Sequence, residues 1–227
     1  MAALTKDSAR PDSANSTSDH TLRALHSPVA VAAFLAVALA GLAADLASKQ
    51  LVFDELLGHR EVADQVRALQ QLHGADLGTD RTMLELRRVG LLQRPFAPGV
   101  DFTLSTNPGV VFGWRLPPWL VLVATALTVG VVGFFFATAH RRARTLQVGL
   151  AMILAGALGN LYDRLCGEVA VPGLAGEPLR GQVRDFIDCS GLYYPWIFNV
   201  ADILLVVGVG LLLVHWFVNE RRQLPAK

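Results

Sequence analysis

Carboxyl groups lie near one end of several apolar stretches of this sequence, where paired carboxyl groups could do acid–base chemistry. Asp185 lies shortly before the fourth stretch, and Asp202 lies within its beginning. Two carboxyl groups held close together cannot both ionise, so one keeps a proton while the other is a base. Such a pair can take a proton from water, direct it at a carbonyl carbon and assist the leaving amine. The residues therefore suggest hydrolysis by paired aspartates, without a metal or a nucleophilic side chain.

Other polar residues at the same ends have spacings that would bring them together. Asp45 and Lys49 are one helical turn apart, so they can pair on one face. Asn160 precedes Asp163 and Arg164 by about one turn, and one helix face can present amide, carboxylate and guanidinium together. Antiparallel threading would carry these groups to a single face of the protein.

Several of these residues also have a structural interpretation. Asp163 and the adjacent Arg164 would form an ion pair at a helix end, and Asn107, before Pro-Gly, would be a turn residue. Asn199 and Asp202 are one turn apart and share a face. The structural interpretation is weakest for Asp202, because a charge inside an apolar run is costly and marks a functional site by default.

Four apolar stretches must position these groups. The chain has 227 residues, of which 52% are hydrophobic, and its mean hydropathy is +0.41. A spanning helix needs about 20 mostly apolar residues. The stretches are Pro28–Phe53, Leu116–Ala139, Leu146–Tyr162 and Ile197–Val218. The sequence therefore predicts a mainly α, integral membrane protein with four transmembrane helices.

The first stretch has an alternative interpretation as a cleaved signal peptide. Arg23 and His26 would form the basic region, followed by an Ala/Leu core. The apolar run from Pro28 to Ala44 is longer than the usual signal core of about 7–15 residues. An uncleaved helix is therefore the favoured interpretation.

The placement of basic residues predicts the orientation. Short cytoplasmic loops of membrane proteins carry an excess of arginine and lysine. Such residues lie in the link between the second and third stretches and at the end of the chain, namely Arg141, Arg142, Arg144, Arg221, Arg222 and Lys227. Both termini are then cytoplasmic, and the polar ends of the stretches face the extracytoplasmic side.

The chain divides into a membrane domain and two tails. Residues 1–27, rich in Ser, Asp, Thr and Ala, are predicted to be a disordered cytoplasmic tail. The membrane domain is 28–218, with an extracytoplasmic insertion at 54–100, and 219–227 is a second cytoplasmic tail.

The insertion and the segment after it have their own patterns. Val62, Val66 and Leu69 recur at helical spacing, and a second short helix is predicted from about Thr82 to Val89. These amphipathic helices would lie on the membrane surface or pack against the body. Residues 100–112 alternate and break at Pro-Gly, which predicts a small β element made of a strand, a turn and a returning strand.

Composition excludes several other classes of function. A net charge of +1 gives no argument for nucleic acid, and the sequence has no Gly-rich phosphate loop and no Cys/His set at metal spacing. No cofactor and no metal are expected. Cys166 and Cys189 are predicted to be two unpaired thiols, with a single bridge as the alternative.

Five motifs together resemble those of one family. In chain order they are Asp45-Leu-Ala-Ser-Lys49, Asn107-Pro-Gly-Val-Val-Phe-Gly113, Gly156-Ala-Leu-Gly-Asn160-Leu-Tyr-Asp163-Arg164-Leu165, Val183-Arg-Asp185-Phe186-Ile187 and Phe198-Asn199-Val-Ala201-Asp202. The chain resembles the lipoprotein signal peptidases, also called signal peptidase II, which are aspartic proteases of the bacterial inner membrane. The motifs are spread along the chain, so the resemblance extends over nearly all of residues 28–218.

The resemblance implies that Asp185 and Asp202 are the catalytic pair. It implies a prolipoprotein substrate whose cysteine bears a diacylglyceryl group, cut on the amino side of that cysteine. It also implies contact with membrane lipids, and we expect a monomer. The residues that would bind substrate or support the site are Asp45, Lys49, Asn107, Gly109, Asn160, Asp163, Arg164 and Asn199.

Some features depart from the family pattern. The segments from Lys49 to Asn107 and from Arg164 to Asp185 are longer than usual, and the second motif has Pro108 and two valines where the family more often has a small polar residue and alanines. These departures affect the outer rim of the site rather than the two aspartates.

Two other functions remain as alternatives. A small transporter or channel subunit would need polar residues through the full membrane depth, whereas the second stretch carries no charge. An inactive scaffold would keep the fold without the chemistry, but both aspartates are present.

Overall fold

A computed structural model describes residues 23–74, 77–111, 114–115, 117–174 and 176–223. Most of the predicted amino-terminal tail and the last four residues of the chain lie outside this part. Within residues 23–27, Ala24–His26 form a 3-10 turn, and the amide of the fully buried Ala24 donates to the carbonyl of Ala139 at 2.7 Å. This bond holds the turn against the bundle.

The described chain contains six α-helices. They are α1 (Pro28–Leu57), α2 (Arg60–His73), α3 (Thr79–Arg88), α4 (Pro118–Thr138), α5 (Arg144–Cys166) and α6 (Val200–Gln223). Within the described ranges, α1, α4, α5 and α6 are long and apolar enough to cross a membrane. The predicted four transmembrane helices are therefore confirmed. The third stretch extends at both ends, whereas α6 begins three residues later than its stretch.

Helix α5 lies at the centre of the bundle and contacts α1, α4 and α6. Its contact with α6 is close because small residues face that helix. A Cβ added at Gly156 would lie 2.4 Å from the carbonyl oxygen of Ala201, so only glycine fits there. A buried apolar cluster at the end of the bundle where α1 begins includes Phe34 and Phe136, whose ring centroids are 4.1 Å apart.

Eight short strands complete the described fold. They are β1 (Gln93–Ala97), β2 (Val100–Asn107), β3 (Val110–Val111), β4 (Trp114–Arg115), β5 (Glu168–Val169), β6 (Leu179–Arg180), β7 (Val183–Asp188) and β8 (Ile197–Phe198). An antiparallel sheet has the order β1-β2-β7-β8, and β3-β4 and β5-β6 form separate hairpins. In this sheet Ser105 lies opposite Asp185.

The predicted β element is present, but its predicted return is wrong. β3 was expected to pair back onto β2, whereas it pairs with β4. Both edges of β2 are already occupied by β1 and β7, so the chain after Gly109 has no free edge to join.

The insertion packs against the body, which decides between the two predicted positions of its helices. Val62, Val66 and Leu86 are fully buried, and they belong to the same apolar cluster as Phe186 on β7. The apolar faces of these helices are therefore buried in the protein and do not lie on the membrane surface, which was the alternative. The insertion thus supports the strand that carries Asp185.

The insertion also contacts the long loop between α5 and β7. The side chain of Gln70 donates to the carbonyl oxygen of Gly173 at 3.1 Å, and the hydroxyl of Thr79 donates to that of Glu177 at 2.7 Å. Val169 and other apolar residues of the loop join the same cluster. The insertion and this loop therefore form one packed unit.

Candidate functional site

A fully buried lysine joins α1 to α5. The ammonium of Lys49 lies 2.7 Å from Asp45 Oδ2 and 2.9 Å from Asp163 Oδ2, and it donates to Asn160 Oδ1 at 3.0 Å. An ammonium has three donors, and each finds an oxygen here. The predicted pairing of Asp45 with Lys49 is present, and the helices meet closely enough that a Cβ at Gly159 would lie 2.3 Å from Asp45 Oδ2.

Asp163 also holds the strand β7. Arg184 donates to Asp163 Oδ1 from Nε at 2.9 Å and from Nη2 at 2.8 Å, and its backbone amide donates to Oδ2 at 3.1 Å. Its remaining Nη1 donates to Gln50 Oε1 at 3.1 Å. We call Asp45, Lys49, Asp163 and Arg184 the cation cluster. Its two carboxyl groups and two cations are buried and balance in charge.

The expected ion pair between Asp163 and Arg164 is wrong. Adjacent residues of a helix point about 100° apart, so their side chains do not face one another. Arg164 instead donates to the carbonyl oxygen of Asn160 at 3.1 Å and interacts electrostatically with Asp185 and Asp202. Its guanidinium is thus directed toward the candidate catalytic pair.

Asn199 and Asp202 bond reciprocally at the beginning of α6. The amide of Asp202 donates to Asn199 Oδ1 at 3.1 Å, and the amide of Asn199 donates to Asp202 Oδ2 at 3.2 Å. This is the capping-box arrangement, which satisfies two backbone donors at a helix start. It explains why α6 begins at Val200 and why Asp202 is fixed in its first turn.

Two carboxamides connect the aspartates. Asn199 Nδ2 donates to Asp185 Oδ1 at 2.6 Å and to Asn160 Oδ1 at 3.2 Å. Asn160 Nδ2 donates to Asp202 Oδ1 at 3.0 Å. We call Asn160, Asp185, Asn199 and Asp202 the amide cluster. It brings the two predicted catalytic residues, from β7 and α6, into one network.

The surroundings of Asp185 favour its protonated form. Burial raises the pKa of Asp185 from its ordinary value of 3.8 to about 7, and the negative charge of Asp202 acts in the same direction. Hydrogen bonds from Asn199 and Asn107 and the charge of Lys49 lower the pKa and partly offset this effect. Only 5% of Asp185 is exposed, whereas Asp202 is partly exposed.

Asn107 and Gly109 form the turn that ends β2 beside the site. The amide of Gly109 donates to Asn107 Oδ1 at 2.9 Å, and Gly109 has a φ of 95°, a conformation that favours glycine. The turn interpretation of Asn107 is therefore correct, and the same side chain also interacts with Asp185. One residue thus serves both the backbone and the candidate site.

An apolar cavity of about 430 Å³ opens beside Asp202. Its walls come from α6 and from the segment that joins β7 to α6. The lining residues are Cys189, Leu192, Tyr194, Phe198, Asp202, Ile203, Val206 and Val207. Asp202 is the ionisable carboxyl group of this wall, so an apolar ligand in the cavity would lie against the amide cluster.

All the site residues predicted on the spanning helices and β7 converge at one end of the bundle. Sequence reasoning missed Arg184 and Gln50 as partners of the buried charges, although Arg184 stands next to Asp185 in a motif. A basic residue adjacent to a catalytic candidate was the available signal.

Within the described residues, no group of three or more His, Cys, Asp or Glu side chains is placed to hold a metal ion. Cys166 and Cys189 are both free thiols.

The sequence of this chain matches the family model for signal peptidase II over residues 37–218. The chain belongs to the signal peptidase II family. A lipoprotein signal peptidase of Caulobacter vibrioides is 35% identical over 60% of this chain and 79% of that protein. Another, of Rhodopseudomonas palustris, is 32% identical over 67% of this chain and 83% of that protein. A solved structure described as a bacterial membrane enzyme covers 80% of this chain and 94% of its own, at 22% identity and a TM-score of 0.49.

Membership in this family and the four spanning helices make the chain a multi-pass membrane peptidase that processes prolipoproteins. The resemblance found in the motifs is thereby confirmed. The family match covers α5, β7 and all but the last turn of α6, which are the elements that carry the amide cluster.

Proposed function

We propose that Asp185 and Asp202 are the catalytic pair of an aspartic endopeptidase that cleaves diacylglyceryl-modified prolipoproteins. The observation that carries this proposal is the bridge formed by Asn199, which binds Asp185 through its side chain and Asp202 through its backbone and side chain. The negative charge of Asp202 opposes ionisation of Asp185, so one member of such a pair keeps a proton while the other is ionised.

The surroundings assign different roles to the two groups. Asp185 is buried and its raised pKa of about 7 keeps a proton on it near neutral pH, so it is the acid. Asp202 is partly exposed at the cavity, so it is the base. Asp202 takes a proton from water, and the water oxygen bonds to the scissile carbonyl carbon. Asp185 donates its proton to the carbonyl oxygen as that bond forms.

The second half of the reaction returns the protons. The tetrahedral intermediate passes a hydroxyl proton to the ionised Asp185, while Asp202 gives its proton to the leaving nitrogen. The carbon–nitrogen bond then breaks, releasing the signal peptide as a carboxylic acid and the lipoprotein with a free amino-terminal cysteine. Both aspartates return to their starting states, and no metal or cofactor takes part in this proposal.

The cavity beside Asp202 supports a lipid-modified substrate. Apolar walls take up acyl chains, because removal of apolar surface from water or headgroups is favourable. A cysteine whose diacylglyceryl group lies along Ile203, Val206 and Val207 would present its amino-side peptide bond to Asp202. The other site residues, among them Asn107, Gly109 and Arg164, would then bind the peptide or position the pair.

The orientation and assembly are part of the proposal. The arginines between α4 and α5 favour a cytoplasmic position for that end of the bundle. We therefore propose that both termini are cytoplasmic and that the amide cluster faces the extracytoplasmic side of a bacterial inner membrane. We also propose that the chain acts as a monomer.

Cleavage of a diacylglyceryl-modified precursor peptide tests the proposed pair. Asp185→Asn and Asp202→Asn should each abolish cleavage while the protein remains inserted, and Asp188→Asn, at the end of the same strand β7, should retain it. An unlipidated precursor should be cleaved poorly or not at all. Full activity in either of the first two variants would refute the assignment.

A pair of bulky substitutions tests the cavity. Val206→Trp places a large ring in the cavity, whereas Val209→Trp adds the same ring at an exposed position of α6 that does not line it. Val206→Trp should raise KM for the lipidated peptide with a smaller change in kcat, and Val209→Trp should leave both unchanged. Equal effects at the two positions would argue against lipid binding in this cavity.

A further inference from the structure

A second, polar cavity lies at the end of the bundle opposite to the amide cluster. Its volume is about 490 Å³. It lies between the link that joins α4 to α5, the first turn of α5 and the last turns of α6. The lining residues are His140, Arg142, Ala143, Arg144, Thr145, Leu146, His215, Val218 and Asn219. Neither the proposed reaction nor the motifs of the family use this cavity.

The charged side chains that line this cavity are arginines. Arg142 and Arg144 are exposed, and no carboxylate within the described ranges forms an ion pair with either of them. Among the described residues, no acidic side chain lines the cavity. Two guanidinium groups face one space, and each is a fork that fits the oxygens of a phosphate.

Neutral donors add to the two arginines. Asn219 Nδ2 lies 2.9 Å from His215 Nε2, one turn away on α6, so the two side chains are held together at the wall. The amides of Thr145 and Leu146, in the first turn of α5, bond to no other residue in the described part of the chain. Ala143 provides no side-chain cap for them. These donors are the ones that an anion satisfies.

We propose that this cavity binds the phosphate of an anionic phospholipid headgroup. The walls belong to the ends of spanning helices, so the cavity lies where headgroup phosphates lie in a bilayer. Basic pockets between spanning helices on the cytoplasmic side bind anionic headgroups in this way. A lipid is favoured over a soluble anion because Leu146 and Val218 add apolar surface to the wall. This proposal rests on the membrane orientation proposed above but not on the catalytic pair.

Arg141 provides a matched control for the two arginines. It has the same charge and stands in the same link, but it does not line this cavity. It lines a neighbouring, more apolar cavity with Ala30 and Phe34, and Arg144 borders both cavities. Arg142→Gln/Arg144→Gln removes both guanidinium groups from the proposed site. Arg141→Gln/Arg144→Gln removes the same net charge but retains Arg142, and His215→Gln removes the imidazole from the cavity wall.

The experiment uses the full chain in an uncharged detergent, with thermal unfolding and native mass spectrometry as readouts. Phosphatidylglycerol should bind and raise the Tm of the wild type and of Arg141→Gln, whereas phosphatidylcholine should not. Binding should weaken at least tenfold in Arg142→Gln/Arg144→Gln and less in Arg141→Gln/Arg144→Gln and His215→Gln. Glycerol phosphate and inorganic phosphate should not compete at equal concentration.

Three outcomes would overturn the proposal. Equal loss in both double variants would mean that net charge alone attracts the lipid. Full competition by inorganic phosphate would mean that the site takes a soluble anion. Unchanged binding in Arg142→Gln/Arg144→Gln would exclude the cavity. Circular dichroism and cleavage of the lipidated peptide, which depends on the distant end of the bundle, establish that each variant is folded.

Discussion

The cation cluster and the amide cluster differ in how their carboxyl oxygens are occupied. All four oxygens of Asp45 and Asp163 accept hydrogen bonds or ion pairs from Lys49, Arg184 or the amide of Ala201, and both aspartates are fully buried. Asp185 and Asp202 are held by amides, and Asp202 borders a cavity.

This difference in occupancy indicates which carboxyl groups can react. A carboxyl group whose oxygens are all occupied by cations and amides has no room for water or substrate, so the cation cluster is suited to join α1, α5 and β7. Carboxamides orient a carboxyl group without adding a charge that would fix it as an anion. The amide cluster therefore has the properties that a proton-exchanging pair needs.

A substitution in the cation cluster should lower the stability of the protein strongly, whereas one in the amide cluster should not. Lys49→Met leaves Asp45 and Asp163 without their shared ammonium, and removing one partner of a buried pair costs about 3–5 kcal/mol. The free energy of unfolding should fall by this amount, and activity should be lost with the fold. Asp185→Asn should abolish activity with little change in stability.

Thermal unfolding in detergent, together with cleavage assays, measures both quantities. Leu51→Met, at an exposed position of the same helix, is the control for the substituted side chain. If Lys49→Met unfolds at the wild-type temperature, the cation cluster does not have the structural role assigned to it.

The next effect separates two roles of Asn199. Asn199→Ser keeps a good helix cap but is too short to bond Asp185, whereas Asn199→Ala loses both functions. Cleavage should fall about 100-fold in both variants because the pair is misplaced. Stability should fall only in Asn199→Ala, by about 0.5–2 kcal/mol. Wild-type kcat in Asn199→Ser would show that the amide is not needed to hold the pair.

A third prediction concerns pH. Because the proposed acid Asp185 has a pKa of about 7, kcat should fall as the pH rises above this value. Asn199→Ser removes a hydrogen bond that lowers this pKa, so the alkaline limb of its profile should move to higher pH. A limb that moves to lower pH, or not at all, would contradict the assignment of the acid.

The same pKa predicts the sign of a stability change. The folded pKa of Asp185 lies above the ordinary value of 3.8, so the folded state keeps a proton that the unfolded state releases. Its contribution to the free energy of unfolding is full below about pH 3.8, falls as the pH rises toward 7, and stays constant above. Asp185→Asn should lack this slope in denaturant titrations at several pH values.

The smallest expected effect compares the two thiols. Cys189 lines the cavity beside Asp202, whereas Cys166 is exposed at the end of α5. In Asp185→Asn, where substrate is not turned over, the lipidated peptide should slow labelling of Cys189 by a neutral maleimide several-fold. Labelling of Cys166 should not change. Equal protection of both thiols would mean that the substrate does not select the cavity.

The sequence predicts the local part of the site well. The pairing of Asp45 with Lys49, and the shared face of Asn199 and Asp202, depend on spacing of one helical turn, which any helix imposes. The four spanning helices follow from apolar length. What is local in the chain is therefore readable in its pattern.

Contacts between distant segments were harder to predict. The sequence suggested Arg164 as the partner of Asp163, but the partner is Arg184, which a strand far along the chain brings back to α5. The return strand after Asn107 was wrong for a similar reason, because β7 takes the edge of β2. Spacing carries no information on which remote segment competes for a carboxylate or a strand edge.

The hydrogen bonds from Gln70 to Gly173 and from Thr79 to Glu177 have a consequence for shortening the chain. A variant that lacks only the insertion would expose the apolar side of the loop to water, and a variant that lacks only the loop would expose α2 and α3. Removal of both segments together avoids this exposure. A form that keeps only one of the two should therefore be prone to misfold.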